Sequence, residues 1–283
     1  MAERVLWDAR QHESKIEQFY GRGVEHYGNY HGGYLNFGLW ENGNTDYVTA
    51  AQRLVLHMCE KSTVTHESNV LNVGCGMGSE CIDINKNFGC SVTGCDATWK
   101  HVKHAQERIE RENIGNVYID HGTATQLRWE KEIFTHVLAV ESAEHFNTRE
   151  QFVKEAHRVL KNGGKLCLAD FALKRKPATM IDRIIVEIGA RLWHVPRANY
   201  ETIESYKEML ERNGFANVVI EERGRDVIPG YFYEQHKPET RKAVRKIRGW
   251  VAAYPGHLID YAVRWGFLTG LIEYVFVTAE KKC

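Results

Sequence analysis

The stretch Val70-Leu71-Asn72-Val73-Gly74-Cys75-Gly76-Met77-Gly78-Ser79-Glu80 limits what this chain can fold into more than any other. A short apolar run reads as a buried strand, and a segment able to start a helix follows it after a turn. Glycine occupies every second position of that turn. Residues without a Cβ let the backbone bend sharply and come close to a ligand. Further on, the run Ser91-Val92-Thr93-Gly94-Cys95 ends in Asp96. In a doubly wound fold, an acid at the end of the second strand can accept hydrogen bonds from ribose hydroxyls. Strand, glycine loop, helix, strand and acid together read as a nucleoside-binding half-fold. No Gly-Lys-Ser/Thr follows the loop, which argues against a P-loop. Ser79 stands where the dinucleotide fingerprint wants its third glycine.

The same alternation continues downstream. Helices are expected over Tyr47 to Cys59, Glu80 to Phe88, from an N-cap at Thr98 to Arg111, and from a cap at Thr148 to Leu160. Strands are expected at Asn69 to Val73, Val117 to Asp120, Phe134 to Val140 and Lys165 to Ala169, the last ending at Asp170. Short apolar strands alternating with helices predict an α/β fold, a doubly wound and mostly parallel sheet with helices on both faces. After Asp170 the pattern changes. Ile181, Ile184, Ile185, Ile188 and Leu192 recur at helical spacing, a helix is expected over Thr202 to Asn213, and residues 233–265 read as helical. Phe215 to Glu221 and Leu271 to Thr278 close the sheet. The division expected is an N-terminal helix and lid (1–45), a Rossmann-like core (46–173), a helical cap (174–265) and a closing strand (266–283).

Composition narrows the function. The 283 residues carry 37 Lys plus Arg and 37 Asp plus Glu, so nothing pulls the chain toward nucleic acid. No apolar run is long enough to span a membrane and no secretory signal is seen. The seven cysteines lack a framework spacing and any CxxC pair. They read as reduced, apolar fillers in a cytoplasmic protein, and no metal site is expected. The segment Gly21 to Trp40 is too aromatic for a solvated loop, which leaves a lid over the ligand or an irregular anchor on the core.

The Gly-x-Gly-x-Gly loop resembles motif I of the class I S-adenosylmethionine (SAM) methyltransferases. The fragments Val140-Glu141-Ser142-Ala143-Glu144-His145-Phe146 and Arg158-Val159-Leu160-Lys161-Asn162-Gly163-Gly164 extend the likeness, with Asn162 in place of the family's usual proline. The chain is similar to the branch acting on small molecules: natural-product sugar O-methyltransferases, tocopherol and sterol C-methyltransferases, and alkaloid N-methyltransferases. The resemblance implies a seven-stranded sheet and SAM as cofactor, with S-adenosylhomocysteine as product. It implies that Gly74, Gly76 and Gly78 line the cofactor's amino acid portion and that Asp96 holds its ribose, flanked by Ala97 and Thr98. Thr123 and Ala124 would meet adenine, with Thr123 where the family has aspartate. Val140 and Glu141 would lie near the methionyl portion, with Tyr20, Tyr34 and Asn36 above.

Methyl transfer to a hydroxyl needs alignment and a base. Ligands of an open parallel sheet sit outside the carboxyl ends of the strands. Glu144 and His145 follow the fourth strand and Asp170 ends the fifth, so a His–carboxylate pair facing one cleft is expected. Each has a plainer reading, His145 packing on SAM and Asp170 capping a turn. Trp193, His194, Tyr200, Tyr231 and Phe232 would give an aromatic acceptor pocket if they converge. The function expected is methylation of a small hydrophobic or aromatic metabolite, O-methylation foremost. N- or C-methylation and a SAM-binding enzyme catalysing a non-transfer step such as cyclisation are the alternatives. The absence of an Asn/Asp-Pro-Pro-Tyr/Phe motif after the fourth strand disfavours a nucleic-acid substrate. A homodimer is compatible with the sequence.

Overall fold

The computed structural model describes residues 2–21, 31–41 and 46–282. Residues 22–30, which include Tyr27 and Tyr30 of the aromatic stretch, and 42–45 lie outside them. Seven strands form one sheet in the order β3-β2-β1-β4-β5-β7-β6. They are β1 (Asn69–Val73), β2 (Ser91–Asp96), β3 (Val117–His121), β4 (Phe134–Val140), β5 (Leu160–Leu173), β6 (Phe215–Glu222) and β7 (Ile272–Lys281). The first five run parallel, and β7 is antiparallel to both β5 and β6. Successive side chains of a strand face opposite ways. Val70 therefore joins Leu54, Met58, Ile84 and Val102 on one face, while Leu71 joins Phe152, Val153, Met209 and Leu210 on the other.

The first layer comprises α2 (Tyr47–Lys61), α3 (Ser79–Phe88) and α4 (Trp99–Arg111), and the second α5 (Arg149–Val159) and α7 (Ile203–Arg212). Side-chain caps fix several starts. Asp46 accepts from the Thr49 N–H, Thr148 from Gln151 and Thr202 from Ser205. Thr98 precedes α4 as expected, but its side chain caps nothing; its backbone N–H instead donates to Asp96. The helix α1 (Ala2–Gly21) packs on α4.

The sequence misjudged two regions. β5 runs five residues before the expected Lys165–Asp170 limits, where Leu160 pairs with Phe134 of β4, and three past them, where Phe171 to Leu173 stay paired with β7. The C-terminal helical stretch is two helices, α8 (Gly224–Gln235) and α9 (Pro238–Leu268), following α6 (Met180–Leu192). On α6 the isoleucine periodicity does not mark a single buried face. Val186 is buried, whereas Ile181, Ile184 and Ile188 are exposed.

Candidate active site

The main cleft, about 200 Å³, opens at the carboxyl ends of β1, β2 and β4. At one end it is lined by backbone. Gly74 has φ +78°, and a Cβ there would lie 2.3 Å from the Ser142 Cβ. Gly76 has φ +53°. Both line the cleft, so these glycines give a ligand direct access to the main chain. Gly78 does not line it. It precedes α3 in a left-handed conformation, and a Cβ would meet Ala105 at 2.9 Å, so its role is to let α3 and α4 approach.

Asp96 sits at the tip of β2 with each carboxylate oxygen held. Gly76 N–H donates at 2.9 Å and Thr98 N–H at 2.8 Å, and His101 Nδ1 lies 3.4 Å away. Burial alone would push its carboxyl up, but the His101 hydrogen bond and charge and the two N–H groups outweigh it and keep Asp96 below the ordinary range. Ala97, Thr98, Thr123, Ala124 and Val140 line the same end.

Glu141 also borders the cleft, yet its side chain is committed elsewhere. It accepts from the Phe37 N–H and the Tyr274 hydroxyl, each at 2.7 Å, and burial pushes its carboxyl up to about 8. Glu80, unmarked in the sequence reading, lines the cleft and is pushed up to about 7 by burial, against the lowering effect of Asn72 and Asn36. Asn36 donates to it at 3.1 Å from below and does not reach the cleft. Tyr34 likewise faces away, its hydroxyl donating to Asp83 on α3. Residues 31–41 are thus pinned to the core at several points, including Ser79 Oγ to Gly32 O at 2.9 Å and Trp40 N–H to Asp226 O at 2.8 Å.

The other end is aromatic. Phe37 stacks on Tyr231 at 3.7 Å, and Trp193 lies 5.7 Å from both Phe37 and His145. Tyr20, on α1, places its hydroxyl 2.8 Å from His145 Nε2, and His12 Nε2 bonds the His145 carbonyl oxygen at 2.8 Å. His12, Ile16, Phe19 and Tyr20 all line the cleft. Their i, i+4, i+7, i+8 spacing is a helical stripe visible in the sequence, of which Tyr20 alone is among the expected site residues. Burial, and then the nearby His12 and His194, depress the His145 imidazole to about 3.

Of the expected catalytic trio, only His145 lines the cleft. Asp170 lies inside β5 rather than at its end, and its carboxylate is taken by Arg149 Nε at 2.9 Å, the Tyr206 hydroxyl at 2.8 Å and the Phe171 N–H at 2.7 Å. Glu144 is buried 3.8 Å from His145 Nε2. Burial, then the Asp170 charge and a hydrogen bond shared with it, hold Glu144 well above the usual carboxylate range. Glu144 and Tyr200 border a second cavity of about 80 Å³ behind Trp193. His194 packs on Phe19 and Phe232 on His236, and neither lines the main cleft.

Residues 71–168 match a family described as methyltransferase domain. Erythromycin 3''-O-methyltransferase of Saccharopolyspora erythraea is 31% identical over 195 residues, which are 67% of this chain and 64% of that protein. The chain thus spans a little under two thirds of this relative's length. Ajmaline N-methyltransferase of Rauvolfia serpentina is 22% identical over 213 residues, 68% of this chain and 72% of its own. Among solved structures, the [4+2]-cyclase SpnF superposes with a TM-score of 0.75 at 20% identity, covering 94% of this chain and 95% of its own. Residues 71–168 are thus a methyltransferase domain, and the chain around it has the fold of that solved structure.

Proposed function

We propose that this protein moves a methyl group from SAM to a small hydrophobic or aromatic metabolite, at oxygen. One observation carries the reading: a single cleft joins a backbone-lined, Asp96-tipped end to an aromatic end that contains a buried histidine. The residues fit the cofactor. Gly74 and Gly76 leave room where a Cβ would intrude, and the Asp96 carboxylate is held ionised beside them. Asp96 holds the ribose, Thr123 and Ala124 bound the adenine, and the Gly74–Gly76 backbone receives the amino acid portion. The sulfonium of SAM supplies an electrophilic methyl group.

The chain's own contribution is alignment, exclusion of water and one proton acceptor. Phe37, Trp193 and Tyr231 orient a flat or apolar acceptor, and α1 covers it through Tyr20. His145 is neutral at physiological pH and takes the proton of an acceptor hydroxyl. Resemblance in sequence to an O-methyltransferase of a natural product supports the oxygen acceptor. Buried free thiols support a reducing, cytoplasmic setting, and no described helix is long and apolar enough to cross a membrane.

One observation favours a second reading. An imidazole depressed to about 3 is a weak base, and an amine or a carbon nucleophile attacks with less help from one. Incubation with methyl-labelled SAM and paired acceptors that differ only in a hydroxyl or amine group tests both readings. Labelled O-methyl product is expected. Label solely in the amine series would replace the first reading by the second, and no methylated product from any acceptor, with SAM bound, would overturn both.

A further inference from the structure

The last two helices bring together three side chains that methyl transfer does not use. His236 directly follows α8, and His257 and Asp260 stand i, i+3 on α9, on one helix face. One ligating atom of each lies within 4.8 Å of the others. His257 and Asp260 line the main cleft at the end away from Asp96.

The two imidazoles are oriented as ligands are. His236 Nδ1 lies 2.8 Å from the Phe232 carbonyl oxygen. A carbonyl only accepts, so Nδ1 carries the proton and Nε2 keeps its lone pair. Such a hydrogen bond behind the ring is how proteins fix a ligand histidine's tautomer. His236 Nε2 and His257 Nε2 are both buried without a hydrogen-bond partner. Buried polar atoms are ordinarily satisfied, and these two are orphaned side by side. Stacking of His236 on Phe232, with centroids 3.9 Å apart, occupies the ring's face and leaves its edge unanswered. His257 Nδ1 is 3.8 Å from Asp260 Oδ2, too far for a good hydrogen bond and near enough for both groups to turn toward one ion.

We propose that His236, His257 and Asp260 form a binding site for a divalent transition metal of the zinc type at the acceptor end of the cleft. Two imidazoles and a carboxylate make a three-ligand set that leaves a fourth position open. The present span is wider than the about 3.3 Å edge of a tetrahedron with Zn–N near 2.0 Å, so metal entry draws the rings inward by side-chain rotation. Two of the three donors are imidazole nitrogens. That selects ions which favour imidazole over Mg²⁺ or Ca²⁺. His257 and Asp260 border the cleft, so an ion bound there would lie where it can hold and acidify an acceptor oxygen and so complement a weakly basic His145. That last role rests on the methyltransferase reading; metal binding does not, and the two can fail separately. The site departs from the expectation, drawn from cysteine spacing alone, that the chain holds no metal.

The test uses the full chain without a histidine tag, stripped with a chelator and titrated calorimetrically with Zn²⁺ in a non-coordinating buffer. One equivalent is expected to bind with micromolar or tighter affinity. His236→Gln and His257→Gln should each weaken binding by roughly tenfold or more, with circular dichroism confirming the fold. Co²⁺ loaded into the wild-type chain should show visible bands of nitrogen and oxygen ligation without a thiolate charge-transfer band, a readout that stands even if a variant fails to fold. No stoichiometric uptake, unchanged affinity in the two variants, or a thiolate band would each overturn the proposal.

Discussion

The two ends of the cleft are built by different means. The cofactor end is made of strand tips and the loops directly after them, and its contacts are backbone N–H groups and one carboxylate, as at Gly76, Thr98 and Asp96. The acceptor end is assembled from α1, the end of α6, α8 and α9, and its contacts are side chains, as at Tyr20, Trp193, Tyr231 and His257. A backbone site written into one short loop can be kept while the helices around the other end change. One fold can then hold one cofactor and present it to many acceptors, which is why the fold alone does not name the substrate.

Loss of Arg149, which lies behind the main cleft rather than in it, should have the largest effect. Its guanidinium is buried between Asp170, Glu201, Phe171 and Asn199, and lies over the Tyr206 ring. Arg149→Met leaves Asp170 buried without its cation. Breaking such a pair costs about 3–5 kcal/mol, so urea denaturation should show a large loss of stability, and a loss under 1 kcal/mol on the same scale would mean the cluster supports neither end.

His145→Ala comes next. It should lower kcat on a hydroxyl acceptor by roughly 10²-fold, the low end of the general-base range because its imidazole is so weakly basic. S-adenosylhomocysteine affinity should hardly move. An equal fall in cofactor affinity would blur the division between the ends.

Trp193→Ala sharpens the comparison. It opens the main cleft into the cavity behind it, since Trp193 borders both. The acceptor KM should rise several-fold and bulkier acceptors should become competitive, while the KM for SAM stays within about twofold, as expected for lost apolar contact at one end only. A selectivity unchanged across acceptor sizes would place the acceptor elsewhere.

The last effect concerns pH. Glu80 and Glu141 are raised to about 7 and about 8 in the fold, so they bind more protons folded than unfolded, and their contribution is lost as pH rises from their unfolded values through these. His145 is depressed to about 3, so its contribution is complete above its unfolded value and is lost as pH falls below it. Denaturation midpoints should therefore decline from about pH 6.5 to 8. Glu141→Gln should flatten that slope, and an unaltered slope would show that Glu141 ionises freely in the fold.

How far the sequence revealed these two ends follows from the way each is built. The glycine loop and Asp96 are local: residues close together in the chain line one end of one cleft, so spacing alone exposes them. Asp170 misled because an acid after an apolar run looks like a strand end, and only the pairing with β7 shows that the strand continues. Its partner Arg149 stands in an unremarkable helix start and gives no sign of burial. Tyr34 and Asn36 fall in the right segment, but the side on which a side chain emerges from an irregular loop depends on tertiary contacts such as Asp83 and Glu80. His236, His257 and Asp260 meet only because α8 and α9 fold back on each other.

The central claim is that Asp96 and the glycine loop hold the cofactor independently of the aromatic end. Titration of S-adenosylhomocysteine into the wild type, Asp96→Ala and Tyr20→Phe, followed calorimetrically, tests it most directly. If Asp96 takes the ribose hydroxyls as proposed, losing its charged acceptor should weaken binding by roughly 10–100-fold in Asp96→Ala, while Tyr20→Phe stays within about twofold of wild type. Wild-type affinity in Asp96→Ala, or an equal loss in Tyr20→Phe, would contradict the account.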